Sequence, residues 1–258
     1  SAFFYKLHDE QLLLKHPIAN QLLNWFIEKH PISINNSPKE IESINSTVKL
    51  IKDVLLPVSK TFGDIKITYG FVSYELNRYI QKNSSSGTYP SIDQHAASEL
   101  NNVNNHICKR HGLACDFIVN GYEERMDEVM LFIVKNLSFD KIYFYGNDRP
   151  LHVSVGNKSE RHLQVMNVSD KGRRIPGRKA YGNKAKILAE ELEAAQKIRV
   201  NTLIPGAVNS PLRKKLFPAE DISKLSAMDS LNDIYSYLFG PESLGVTGQI
   251  INAETFNP

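Results

Sequence analysis

SIDQHAASELNNVNNHICKRHGLACDFIV, residues 91–119, decides how the chain reads. It holds three of the eight histidines, His95, His106 and His111, and closes on GLACDFIV, where Asp116 stands among small and β-compatible residues. Those closing residues predict a strand. Because strand side chains alternate between faces, Cys115 and Phe117 point to one side and Asp116 to the other. Imidazole nitrogen and carboxylate oxygen are ligand types for a borderline cation such as Zn2+. Histidines in a polar stretch are also ordinary surface residues, and an aspartate can simply cap a turn, so the ligand reading needs another group from elsewhere. His152 in LHVSVG, residues 151–156, is that group. DKIYFYG (140–146) and PLHVSVGN (150–157) read as short strands joined by the turn NDRP, a meander that sets His152 beside the strand of Asp116.

Upstream, HPIANQLLNWFIEKHP (16–31) predicts a helix with Ile18, Leu22, Leu23 and Phe26 at helical spacing, stopped by Pro31. IESINSTVKLIKDVLLPVSKTFG (41–63) places Ile44, Val48, Ile51, Val54 and Leu55 on one face. Pro57 is expected to kink or end that helix, and Gly63 to close it. IKITYG (65–70) alternates as a half-buried strand, ELNRYIQKN (75–83) reads as a helix, and NSSSGTYPS (83–91) as a loop presenting the histidine stretch. ERMDEVMLFIVKNL (124–137) is a further helix.

The bounds are ordinary. At 258 residues the chain has material for one large domain or two small ones, and its formal charge of +3 does not point to nucleic acid. No apolar run reaches membrane-spanning length and no secretory signal is visible, so no membrane partner and a cytoplasmic location are expected. Cys108 and Cys115 are too few for a disulfide scaffold and read as buried free thiols.

KDVLLPVSKTFGDIKITYGFVSYELN, SIDQH, GLACDF and LHVSVG, in that order, resemble the zinc D-Ala-D-Ala carboxypeptidase superfamily, whose fold is shared with the hedgehog signalling domain. The resemblance covers about residues 40–157. It implies Zn2+ held by His95, Asp116 and His152, and a peptidase or amidase acting on a small peptide with metal-bound water. Three departures stand out. His95 and Asp116 lie much further apart than in that family, because of an insertion holding His106 and His111, either of which is a substitute ligand. The family's arginine falls at Val72. Its general-base glutamate falls at Arg149, leaving Asp148, one residue earlier, as the base or as an ordinary turn residue. A binding module that has lost this chemistry is the non-enzymatic alternative.

Beyond Gly156, SDKGRRIPGRKAYGNKAK (169–186) clusters basic residues among glycines and reads as an exposed connector, or as an arm for a phosphate or other acidic partner at 171–186. KILAEELEAAQK (186–197) follows as a helix with Ile187, Leu188 and Leu192 on one side. The end of the chain, about 187–254, resembles the last quarter of a short-chain dehydrogenase/reductase. IRVNTLIPG matches its sixth strand and Pro-Gly turn, and VTGQIINA its closing strand. A strand at 198–204, a helix at 230–238 and a strand at 249–252 make one β-α-β unit. That resemblance implies NAD(P) contacts at Pro205, Gly206 and Ser210 and an oxidoreductase as the alternative activity. Two of the family's parts are missing from the sequence, however: the glycine-rich turn after a first strand, and the Tyr-x-x-x-Lys pair, since Tyr181 is followed by Lys184 one position early.

The expected fold class is therefore α+β. Helices pack on a mostly antiparallel sheet through residues 1–160, followed by a basic connector (161–186) and a short α/β segment (187–258).

Overall fold

The structure, a computed structural model, describes residues 12–30, 32–83, 94–196, 199–243 and 246–256. The chain divides into two compact units, Ser1–Glu193 and Ala194–Pro258. Pro31 and the loop assigned to 84–91 lie outside the described residues.

The first unit is α+β, built on a mixed six-stranded sheet. In chain order the strands are β1 (Ile65–Tyr69), β2 (Leu113–Val119), β3 (Lys141–Phe144), β4 (Leu151–Val155), β5 (His162–Val168) and β6 (Arg174–Ala180), arranged β1-β2-β4-β3-β5-β6. All neighbours are antiparallel except β3 and β5, which run parallel. Alternation sets the faces. Leu113, Cys115, Phe117 and Val119 of β2, Leu151, Val153 and Val155 of β4, and Ile142 and Phe144 of β3 all join the hydrophobic core. The intervening residues Asp116, His152 and Tyr143 fall on the opposite side of the sheet.

The helices α1 (Pro17–Asn24), α2 (Ile41–Leu50), α3 (Leu56–Phe62), α4 (Tyr74–Asn83), α5 (Met126–Asn136) and α6 (Asn183–Gln196) add further side chains to this core. Pro57 does not break the second predicted helix. A π-turn, Ile51–Leu55, joins α2 to α3, with the Leu56 N–H bonded to the Ile51 carbonyl. Proline cannot donate to the ladder and crowds the preceding turn, and one wider turn relieves both problems while the helix continues to Gly63 at φ 102°. Asn36, 4 % exposed, ties three segments: its Nδ2 donates to the Leu23 and Phe71 carbonyls and its Oδ1 accepts from Ser73 N–H.

Residues 161–186, read as a connector from their basic composition, instead contain β5, β6 and the start of α6. Only His162, Leu163 and Gln164 of β5 are buried, and β6 is the largely exposed edge strand, so the stretch has the composition of solvated chain. Arg174 donates to the Tyr145 and Met166 carbonyls, and Arg178 pairs with Glu191 at 2.8 Å. On α6, Ala185, Leu188, Ala189 and Leu192 are buried while Ile187 is exposed, a stripe turned one position from the expected face.

His162 is 6 % exposed and stacks on Tyr181, ring centroids 4.2 Å apart. Burial first, then Lys141, Lys179 and Arg110, push its pKa down from 6.5 to about 4. A histidine held neutral in the fold leaves stability intact above pH 6.5 and removes it as pH falls toward 4, because the unfolded chain takes up the proton first. The loss expected by pH 5 is about 2 kcal/mol. Urea unfolding at pH 7 and pH 5 checks it: His162→Phe should lose much less over this interval than the unaltered protein.

The second unit holds β7 (Thr202–Ile204), α7 (Pro211–Leu216), α8 (Asn232–Phe239) and β8 (Ile250–Asn252). β7 and β8 pair in parallel, as a β-α-β reading requires. Both strands are shorter than the sequence suggests, and Ile198 lies outside the described residues.

Candidate metal centre

Four strands and one irregular segment build the site. β2 and β4 pair so that Asp116 lies directly opposite His152, on the face turned from the core. His152 is 2 % exposed, and its Nδ1 stands 2.7 Å from Asp116 Oδ1. β3 adds Tyr143, paired with His152 in register and stacked on its ring at 4.7 Å. β1 adds Tyr69 through an irregularity. Pairing runs Ile67↔Phe117 and then Tyr69↔Asp116, so Thr68 is the extra residue of a bulge that turns Tyr69 toward the Asp116 face. The Tyr69 ring meets His95 edge-on at 4.7 Å and packs on Trp25 at 4.0 Å.

His95 arrives on a segment without regular secondary structure whose residues 94–99 are nonetheless buried. Its carbonyl accepts from Val72 N–H at 3.0 Å, and Gln94, at φ 65°, accepts from Ala114 N–H with its own carbonyl. His95 Nδ1 lies 3.1 Å from the Gly70 carbonyl, which receives its proton and leaves Nε2 toward Asp116 Oδ1 at 3.6 Å. A metal-ligating histidine donates its other ring N–H to a group such as this carbonyl, which fixes the tautomer and the ring orientation.

Each of His95, Asp116 and His152 thus offers one ligand atom, all within 4.8 Å of one another. Ligands about 2.0–2.1 Å from a tetrahedral zinc ion stand roughly 3.3 Å apart. The 2.7 and 3.6 Å separations lie to either side of that value and no pair exceeds 4.8 Å, so the donor set suits such an ion in type, with the three groups near that spacing. Burial pushes the Asp116 carboxyl up, but hydrogen bonds and charge from His152 and His95 outweigh it and hold the group well below the usual carboxylate range. It stands ready as an anion.

The remaining sequence candidates are placed as follows. His106 and His111 lie together against Ser98, through its carbonyl (3.1 Å) and its hydroxyl (3.3 Å), apart from this cluster. Asp148 is an exposed residue of the β3–β4 turn, 3.7 Å from Arg149, and is not among the three clustered residues. Val72 is wholly buried in the core. Cys108 and Cys115 are buried and form no disulfide. In the second unit Pro205, Gly206 and Ser210 line one cavity of about 370 Å³ with Leu212, Phe217 and Tyr235, and Ser210 caps α7 by accepting from Arg213 N–H.

Sequence reasoning missed Tyr69, Tyr143, Gly70 and Lys29. Tyr143 was within reach, because pairing β3 with β4 across the NDRP turn sets it beside His152. Tyr69 was not, since strict alternation assigns it to the core face with Ile65 and Ile67. Lys29, from the turn after α1, donates to the Thr68 carbonyl, lies within electrostatic reach of Asp116, and is lowered in pKa by partial burial. No local pattern marks it.

No family model matches the chain, and no solved structure does. Over 68 residues it is 34 % identical to an uncharacterized oxidoreductase, YciK, of Escherichia coli (strain K12). The likeness covers 26 % of this chain and 26 % of that protein, so the chain spans about a quarter of the relative's length. It supports in part the dehydrogenase resemblance of the C-terminal segment and lends nothing to the peptidase resemblance. No helix among the described residues is long and apolar enough to cross a membrane.

Proposed function

We propose that the first unit is a zinc-dependent hydrolase of small peptides or amides, with His95, Asp116 and His152 as the metal ligands. The observation behind it is the meeting of two imidazoles and one carboxylate, far apart in sequence, at one point on the sheet face. Bound there, zinc would supply Lewis acidity and lower the pKa of water. The chain's own residues do the rest. The Gly70 carbonyl fixes the His95 tautomer, Tyr69 and Tyr143 hold the two rings, and Asp148, on the turn leading into β4, is the proposed proton acceptor. Zinc stoichiometry and a panel of small peptides, D-Ala-D-Ala included, test it. His152→Ala should abolish both zinc binding and hydrolysis, whereas Asp148→Asn should lower hydrolysis roughly 10²- to 10⁴-fold with zinc retained. Bound zinc without hydrolysis of any peptide would turn the reading to a metal-containing binding module.

The comparisons favour a second reading, an NAD(P)-linked oxidoreductase, for which the 68-residue likeness speaks. Pro205, Gly206 and Ser210 sharing a cavity accords with it. The missing glycine-rich turn and the displaced Lys184 count against chemistry by this chain alone. Enhanced NADH or NADPH fluorescence with the full chain, lost on Gly206→Val, would support it. No response to either nucleotide would remove it.

A further inference from the structure

Asp116 and Leu113 are separated by about 10 Å of strand, and beyond Leu113 a second polar locality lies at the same end of β2 and β4. Two loops enclose it, residues 108–112 before β2 and 156–161 after β4. Their approach depends on glycine. A Cβ on Gly112, at φ 111°, would fall 1.9 Å from the Val155 carbonyl oxygen, and one on Gly156 would fall 2.9 Å from Asp140 Oδ2. Between the loops is a cavity of about 250 Å³ lined by Lys109, Arg110, His111, Asp140, Asn157, Lys158 and Glu160. Of the five described non-glycine residues with positive φ, Gln94, Ser159 and Arg161 border this corner. Such strain persists only where surrounding structure enforces it, and it gathers at functional positions.

Charge distinguishes the cavity. Lys109, Arg110 and Lys158 bring three cations, and among the described residues neither Lys109 nor Lys158 pairs with a carboxylate. Of the two acidic groups, Asp140 is already occupied: Oδ1 accepts from Glu160 N–H at 3.2 Å and Oδ2 from Gln94 Nε2 at 3.2 Å. Glu160 is exposed. The neighbouring His162, whose buried Nε2 has no hydrogen-bond partner, is lowered in pKa first by burial, then by Lys141 and Lys179, and also by Arg110 of the cavity. A small open cavity lined by two lysines and an arginine, with a satisfied carboxylate in its wall, suits an oxyanion.

We infer that this cavity binds a small molecule through a phosphate or carboxylate group, held by Lys109, Arg110 and Lys158. The site stands apart from the metal centre yet adjoins it. Gln94, which precedes His95, donates to the His111 carbonyl at 2.6 Å and to Asp140, so the cavity wall is one residue from a proposed ligand. Occupancy of the cavity therefore bears on how His95 is held.

Thermal unfolding of the full chain against inorganic phosphate, with chloride at matched ionic strength as control, tests the inference. Phosphate should raise the midpoint saturably, and Lys109→Gln combined with Lys158→Gln should weaken the apparent affinity at least tenfold. Both lysines are exposed, so the double variant is expected to fold. His152→Ala should keep the phosphate response, which separates this site from the metal reading. NMR titration of His162 gives a second readout, its pKa rising from about 4 when phosphate is bound. A response equalled by chloride, or one unchanged in the double variant, overturns the inference.

Discussion

Zinc at a thousandfold excess over its dissociation constant is expected to stabilise the first unit by about 4 kcal/mol, which for a unit of this size raises its melting temperature by roughly 8–16 °C. The reason is linkage. The ligands converge only when β2 and β4 are paired and the segment around His95 is folded against Gly70, so the ion binds the folded state and not the unfolded one. His95→Ala, Asp116→Ala and His152→Ala should each abolish the shift, because two remaining ligands do not make a tight site for a tetrahedral cation. His106→Ala and His111→Ala should leave it intact, since those rings lie against Ser98. Differential scanning calorimetry with and without zinc distinguishes the two sets.

Gly70→Ala is the substitution expected to do most damage through packing. An added Cβ would sit 2.2 Å from the Leu22 carbonyl oxygen and 2.7 Å from Trp25 Cδ1. Both neighbours are fixed: Leu22 O accepts from Phe71 N–H, and Trp25 Nε1 donates to the Phe71 carbonyl at 2.8 Å. Overpacking against groups that cannot yield costs on the order of 3 kcal/mol or more. The carbonyl of the same residue orients His95, so the surviving folded protein should also bind zinc about 10- to 100-fold more weakly, as when a metal-ligating histidine loses its hydrogen-bond partner. Urea unfolding gives the first effect and zinc titration the second. A variant with normal zinc affinity would show that Gly70 acts through packing alone.

What the sequence made legible follows from which patterns are local. Period-two alternation in GLACDFIV and LHVSVG marks Asp116 and His152 as the residues turned from the apolar face of their strands, and the NDRP turn joins β4 to β3 in a meander, so a position for His152 beside the strand of Asp116 was within reach. The β-α-β order of the C-terminal segment was readable for the same reason. His95 was recognisable only by residue type. Residues 94–111 have no period, and His95 reaches the cluster through backbone bonds, Val72 N–H to its own carbonyl and Ala114 N–H to that of Gln94, that no spacing encodes. The Tyr69 bulge hides a residue by moving it off the face that alternation assigns. Proline chemistry argued for a kink or an end at Pro57, and with Val54, Leu55 and Val58 packed in the core the helix continues through a π-turn. The parallel β3–β5 pairing and the edge strand β6 were obscured because half-exposed strands rich in Lys, Arg and Gly resemble solvated connector.

The central claim is that one divalent ion sits among His95, Asp116 and His152. Anomalous diffraction from zinc-soaked crystals, collected on both sides of the zinc absorption edge, tests it most directly. The account predicts one strong peak about 2.0–2.2 Å from a ring nitrogen of His95, an oxygen of Asp116 and a ring nitrogen of His152. Full-occupancy zinc at His106 and His111 instead, or no peak near Asp116, would contradict it.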